Sequence, residues 1–125
     1  VKCENHLRCV IKCALDLNCF DMDVYLELLK RGQATVDELA ETFKKDKSTV
    51  YKSLQTLLEK GIVTREYRIL RSGGYKYIYK PAPFEKFKET VSSSINQWIK
   101  SLEAFLNSLE GYAEDRIIQT IEMGR

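Results

Sequence analysis

From His6 to Leu17 a charged residue recurs at every fourth position, Arg8, Lys12 and Asp16, while Leu7, Val10, Ile11, Ala14, Leu15 and Leu17 cover most of the remaining circumference. This period predicts a largely buried first helix. Asn18 to Phe20 interrupts it. A second helix is then expected, capped by Asp21, carrying Val24, Tyr25, Leu28 and Leu29, and ended by Gly32 in a left-handed conformation. Thr35-Val36-Asp37-Glu38 is a capping box, in which hydroxyl and carboxylate each satisfy an orphan backbone donor, and it predicts a short helix burying Val36, Leu39, Ala40 and Phe43. After Lys44 and Lys45, Asp46 is placed to cap a further helix. Its inner face is Val50, Leu54, Leu57 and Leu58, and Gly61 stops it. The pattern spells helix, tight turn, helix.

The period then shortens. Ile62 to Leu70 is rich in β-branched and aromatic residues, Arg71-Ser72-Gly73-Gly74 supplies a turn, and Tyr75 to Lys80 alternates until Pro81, which together predict a β-hairpin. Beyond Pro81 and Pro83 no Gly or Pro occurs from Phe84 to Glu110, so one helix of about seven turns is expected. From Ile95 its apolar residues keep heptad spacing at Trp98, Leu102, Phe105, Leu109 and Tyr112, with Ile99 and Leu106 widening the stripe. That stripe predicts a dimer seam on Ile95, Trp98, Leu102, Phe105 and Leu109. Gly111 is expected to break the helix before a short final one around Ile117, Ile118 and Ile121. The expected fold is mainly α with a small β-hairpin. It divides into a cysteine-bearing N-terminal helix (1–20), a helix-turn-helix with its hairpin (21–81) and a C-terminal helical dimerisation segment (82–125).

With 125 residues, 44% apolar and 30% charged, the chain has the size of one small domain with a modest core that a dimer would enlarge. No apolar run approaches the roughly 18 residues that cross a bilayer, and no basic, apolar and small-residue succession marks a signal peptide, so a cytoplasmic location without membrane partners is expected. The first residue is Val, so anything at Cys3 is read from an edge. One His, no Gly-rich phosphate loop and no nucleophile-base-acid set argue against an enzyme.

Charge changes the picture most. Residues 44–80 hold ten Lys or Arg against Asp46, Glu59 and Glu66, whereas both flanks are mildly acidic and the whole chain carries only +2. One face is built for a polyanion, and the helix-turn-helix beneath it points to duplex DNA. In that motif the second helix lies in the major groove, so Lys47, Ser48, Thr49, Tyr51, Lys52 and Gln55, with Lys45 just before them, are the candidate contacts. Lys52 suits guanine, Gln55 suits adenine, and Ser48 and Thr49 serve phosphate or base. The bland alternative is a solvated helix face. Against it, the face holds no acid until Glu59. At the hairpin tip Arg71 and Lys76 can follow phosphates or enter a narrow minor groove, and Lys44, Lys45 and Arg68 add affinity without sequence preference. Tyr75, Tyr77 and Tyr79 share one side of their strand, where packing is favoured over base stacking.

The stretch TVDELAETFKKDKSTVYKSLQTLLEKGIVTREYRILRSGGYKYIYKP resembles the winged-helix transcriptional regulators of bacteria and archaea, especially the MarR-like and TrmB-like groups. The upstream DMDVYLELLKRGQAT is similar to the helix that leads into this unit. The resemblance rests on the STVY of the recognition helix, the LLEKGIV that ends it, and a Gly-tipped wing before a Tyr-x-Tyr strand. It implies a homodimer on a pseudo-palindromic operator. The chain departs from the TrmB-like pattern in lacking a large C-terminal sugar-binding domain, so no sugar effector is carried over and the small-molecule effector is unassigned. The rival from another class is a winged-helix protein-interaction module, which would need an exposed apolar patch rather than a cationic face.

Cys3, Cys9, Cys13 and Cys19 all fall in the first 19 residues with spacing C-x5-C-x3-C-x5-C, which is not that of common structural zinc sites. Cys9 and Cys13 sit one helical turn apart, about 5 to 6 Å, too far for an unstrained disulfide but workable for a shared metal, with His6 near the Cys13 side. Three readings stay open. Inert or structural thiols are favoured, ahead of a metal or iron-sulfur site and of a metal- or redox-sensing switch. No cofactor is assigned.

Overall fold

The computed structural model describes residues 6–109 and 114–124. Among them the chain forms α1 (His6–Leu15), α2 (Cys19–Arg31), α3 (Val36–Phe43), α4 (Lys47–Glu59), β1 (Val63–Ile69), β2 (Tyr75–Pro81), α5 (Phe84–Leu109) and α6 (Glu114–Met123). Two compact units divide within α5, between Ser94 and Ile95.

In the first unit the core gathers around α4. Val50, Leu54 and Leu57 are fully buried together with Val24 and Leu28 of α2 and Leu39 of α3, with Ile62 and Val63 closing the cluster at the start of the hairpin. Positions 50, 54 and 57 recur at helical spacing, so burying that stripe fixes the rotation of α4 about its own axis. Ser53 lies on the same inner face. Its hydroxyl donates to the carboxylate of Asp21, only 5% exposed, at 2.6 Å.

Helix ends follow from local chemistry. Asn18, rather than Asp21, caps the second helix, which starts at Cys19. The extended backbone of Asn18 lets its side chain accept from the Asp21 N–H at 2.7 Å while the Asp21 carboxylate accepts from the Asn18 N–H at 3.1 Å. Asp21 is thus the carboxylate partner of a capping box, and the same group reaches Ser53. The box at Thr35 and Glu38 forms as the spacing predicts, with bonds of 2.9 and 3.2 Å. Between α3 and α4 the chain turns on Lys44 at φ 55°, a left-handed residue whose N–H closes on Ala40. Such a conformation costs a non-glycine residue roughly 1 kcal/mol, which the packing on either side must offset. Gly32 at φ 88° ends α2 as expected.

The first helix departs from its expected burial. Leu15 and Leu17 are buried, but Leu7 is 68% and Val10 40% exposed. Two members of the charged stripe are engaged at the surface instead: half-buried Arg8 pairs with Asp23 at 2.8 Å, and half-buried Lys12 meets the Cys19 sulfur at 2.9 Å, while Asp16 stays exposed. These contacts tie α1 to the start of α2 and leave part of its apolar surface facing out.

The hairpin is antiparallel, with Val63 opposite Pro81 and Ile69 opposite Tyr75. Ala34 adds a one-residue bridge, exchanging bonds of 3.0 and 2.8 Å with Tyr79. At the tip, Gly73 and Gly74 both take positive φ, which lets Leu70 donate to the Gly74 carbonyl at 3.0 Å.

In the second unit neither the remainder of α5 nor α6 contains a buried residue. Ile95 and Leu109 are half-buried, while Trp98 at 47%, Leu102 and Phe105 are exposed, so the heptad stripe is an apolar face in partial contact with solvent. Gly111 and Tyr112 lie outside the described residues. Leu54→Ala, at the dry centre of the first unit, is expected to lower unfolding free energy by about 3 kcal/mol. Urea denaturation followed by circular dichroism checks this, and a loss below about 1 kcal/mol would contradict the packing.

Candidate nucleic-acid interface

With its inner face buried, α4 presents Lys47, Ser48, Tyr51 and Lys52 to solvent, joined by Thr49 and by Lys45 from the preceding turn. Lys44, Lys45, Lys52 and Arg71 form no ion pair among the described residues. Lys47 lies 3.1 Å from Asp37, both side chains about 70% exposed, a pair worth at most about 1 kcal/mol and free to exchange for a stronger anion. Gln55 differs from its neighbours. It is half-buried, and its Nε2 is buried without a hydrogen-bond partner among the described residues, so it contributes less open surface than the periodicity suggested.

Asp46 stands at the N-cap of α4. Its carboxylate accepts the hydroxyl protons of Ser48, at 2.6 Å, and of Thr49. These two bonds, Ser48 first, hold the exposed carboxyl below the usual Asp range. The donors of both hydroxyls are therefore spent within the protein, and their oxygens remain available as acceptors.

The hairpin carries the second cationic surface. Arg71 and Lys76 are both exposed near its tip. The row of tyrosines is graded: Tyr79 is fully buried, Tyr77 half-buried and Tyr75 exposed, stacking on Tyr67 with centroids 4.9 Å apart. The packing expectation holds at the base of the strand and lapses towards the tip. Arg65, which the sequence reading did not single out, lies over the Tyr77 ring at 4.1 Å. Its guanidinium is raised further above its ordinary value, chiefly by a hydrogen bond to Tyr79 and in smaller part by one to Tyr51 of α4. Arg65 of β1 thus packs on the Tyr77 ring of β2, a contact within the hairpin. Alternation placed it opposite Tyr79, which was the available signal. Between Tyr51, Val36 and the β2 tyrosines lies a groove of about 400 Å³ with Lys76 on its wall.

The described cysteines differ in state. Cys9 is disulfide-bonded, Cys13 and Cys19 are free and exposed thiols, and Cys3 lies outside the described residues. Among the described residues no three Cys, His, Asp or Glu side chains come together as a metal site.

A buried-faced α3–turn–α4 pair followed by a glycine-tipped antiparallel hairpin defines a winged helix-turn-helix protein, with α4 in the recognition position. Residues 11–85 match the model of the family described as sugar-specific transcriptional regulator TrmB. The chain belongs to that family of transcriptional regulators. It is 30% identical over 101 residues to an uncharacterized protein of Methanocaldococcus jannaschii, covering 81% of this chain and 76% of the relative. Among solved structures it is similar to a possible transcriptional regulator from Methanosarcina mazei Go1, at 30% identity and a TM-score of 0.76 over 86% of this chain and 94% of that one. A protein from the thermoacidophilic archaeon Sulfolobus tokodaii follows at 26% identity and a TM-score of 0.66, covering 76% of this chain and 93% of that one. No helix among the described residues is long and apolar enough to cross a membrane.

The Asp46 contacts carry a pH signature. A carboxyl depressed in the folded state stabilises it fully above the ordinary Asp range, and that contribution is lost as pH falls through the depressed value. Carboxyl-carbon NMR should find Asp46 titrating low, and Ser48→Ala with Thr49→Ala should move its midpoint up towards the unperturbed range. An unmoved midpoint would rule out the hydroxyl contacts.

Proposed function

We propose that this protein is a sequence-specific, double-stranded DNA-binding transcriptional regulator that acts as a homodimer in the cytoplasm. The observation that carries the reading is the outer face of α4: Lys45, Lys47, Ser48, Thr49, Tyr51 and Lys52 are all exposed on a helix whose opposite stripe is dry. A helix held so firmly on one side and so cationic on the other is suited to a major groove.

Roles follow from chemistry. Lys52, without an ion-pair partner among the described residues, donates to guanine. Ser48 and Thr49, their protons given to Asp46, accept from base amino groups such as cytosine N4 or adenine N6. Gln55 reads adenine only if its amide swings out of its half-buried position. Lys47 exchanges Asp37 for phosphate, and Arg71 and Lys76 on the wing follow the backbone or the minor groove. Ile95, Trp98, Leu102, Phe105 and Leu109 form the seam between two copies, since a solvent-facing aromatic and aliphatic stripe at heptad spacing is what a homodimer buries. Two recognition helices on such a dimer meet half-sites about one helical turn, roughly 34 Å, apart.

Selection of bound duplexes from a random pool tests the reading, and the expected product is a pseudo-palindrome whose affinity falls steeply with salt. Lys52→Ala should cost on the order of 1 to 3 kcal/mol of discrimination at one base pair. Arg71→Ala should instead weaken all sequences alike and reduce the logarithmic salt slope by about one. Absence of duplex binding at low ionic strength would overturn the reading, and identical behaviour of the two variants would overturn the division of roles.

A further inference from the structure

A second groove, of about 600 Å³, separates the start of α2 from the helix-turn-helix. Asn18, Cys19 and Asp23 line one wall, and Lys45, Thr49 and Lys52 line the other. Cys19 is the first residue of α2 and a free, exposed thiol. Its sulfur receives the Lys12 ammonium at 2.9 Å. Its carbonyl receives Arg8, which also pairs with Asp23 at 2.8 Å, so the cations beside the thiol are themselves held in place. An ammonium in contact and a helix N-terminus both favour thiolate. Consistent with that geometry, the Cys19 thiol is pulled below its usual range, first by the Lys12 hydrogen bond and then by its charge. Cys13, equally accessible, has no such partner among the described residues.

We propose that Cys19 is a modification site for low-molecular-weight disulfides that carry carboxylates, with the adduct lying in the groove beside Lys45 and Lys52. The Cys19 thiolate attacks one sulfur of the disulfide. A new sulfur-sulfur bond forms, the old one breaks, and its electron pair departs with the second sulfur as a thiolate. Cys19 is oxidised and the leaving sulfur is reduced, so no further reagent is needed. The class of reagent follows from the lining, where Asp21 and Asp23 are already engaged by Ser53 and Arg8 while Lys45 and Lys52 have no ion pair among the described residues, and from a volume suited to a small organic moiety.

The adduct has two routes to the recognition helix. Its carboxylates compensate Lys45 and Lys52 directly. It also crowds the Asn18–Asp21 capping box that encloses Cys19, whose Asp21 holds Ser53 of α4 through the buried 2.6 Å bond. The effect on DNA rests on the function proposed above, whereas the reactivity of the thiol does not.

The test treats the full chain with 5,5′-dithiobis(2-nitrobenzoate), a dianionic aromatic disulfide, and follows the released thiolate by absorbance. Wild type should show one phase roughly tenfold faster than the other. Cys19→Ser should lose it and Cys13→Ser should keep it. Lys12→Met should slow it, and Lys12→Arg, which retains the cation, should restore most of the rate. Salt should slow this phase more than the same reaction with the neutral 4,4′-dithiodipyridine. A fast phase that survives in Cys19→Ser overturns the proposal, as does equal salt sensitivity of the two reagents. In the second arm, labelled Cys13→Ser protein should bind the selected duplex about tenfold more weakly than its unlabelled form, while Cys19→Ser carried through the same treatment is unchanged. Equal affinity of labelled and unlabelled protein overturns the placement of the adduct. If unlabelled protein binds no duplex, the DNA reading fails, and the kinetic arm still decides whether Cys19 is the reactive thiol.

Discussion

One helix has to satisfy opposite demands on its two sides, and the dry seam along Val50, Leu54 and Leu57 is what makes this workable. An α-helix can rotate about its axis at little cost unless its apolar stripe is matched residue by residue, and here α2, α3 and the start of β1 all supply matching surfaces. The single polar bond in the seam, from Ser53 to Asp21, adds direction to an otherwise non-directional contact. A buried carboxylate left without donors would be costly, so the alignment of α2 with α4 is specified more sharply than hydrophobic contact alone would specify it.

Electrostatics on the outer side are arranged by what the acids do. Asp37 takes Lys47, Asp46 takes two hydroxyls, and Glu66 takes Arg68 and Lys80 on the wing. The basic segment is therefore not a uniform patch. Some of its cations are occupied and exchangeable, and others, Lys45, Lys52 and Arg71 among them, stand without ion pairs among the described residues. On the wing itself Arg65 of β1 packs over the Tyr77 ring of β2, which joins its two strands through a cation and an aromatic face.

Membership of the TrmB family agrees with the winged-helix architecture, and the match ends near the start of α5. Beyond it the second unit carries the heptad stripe, whose Trp98, Leu102 and Phe105 are exposed. At the other end, the N-terminal cysteines separate by environment. Cys9 is bridged, Cys13 is merely exposed, and Cys19 is placed against a cation and a groove.

Elements that are held by contacts within a few residues were legible before any coordinates. The Thr35–Glu38 box, the Gly32 stop, the α4 stripe, the Gly-tipped hairpin and the long uninterrupted α5 each depend on period, caps and turn residues, which are written locally. The cap at Asn18 was missed because Asp21 looks like a cap from its type, although the Asn18–Asp21 spacing is that of a local box; only the bond of the same carboxylate to Ser53, 32 residues away, needed the tertiary structure. The pairing of Arg8 with Asp23, the half-burial of Gln55 and the packing of Arg65 on Tyr77 were likewise hidden. Local sequence determined which faces exist, because backbone geometry sets their spacing; only the tertiary structure decided what each face meets, because burial and ion pairing depend on partners that arrive from distant parts of the chain.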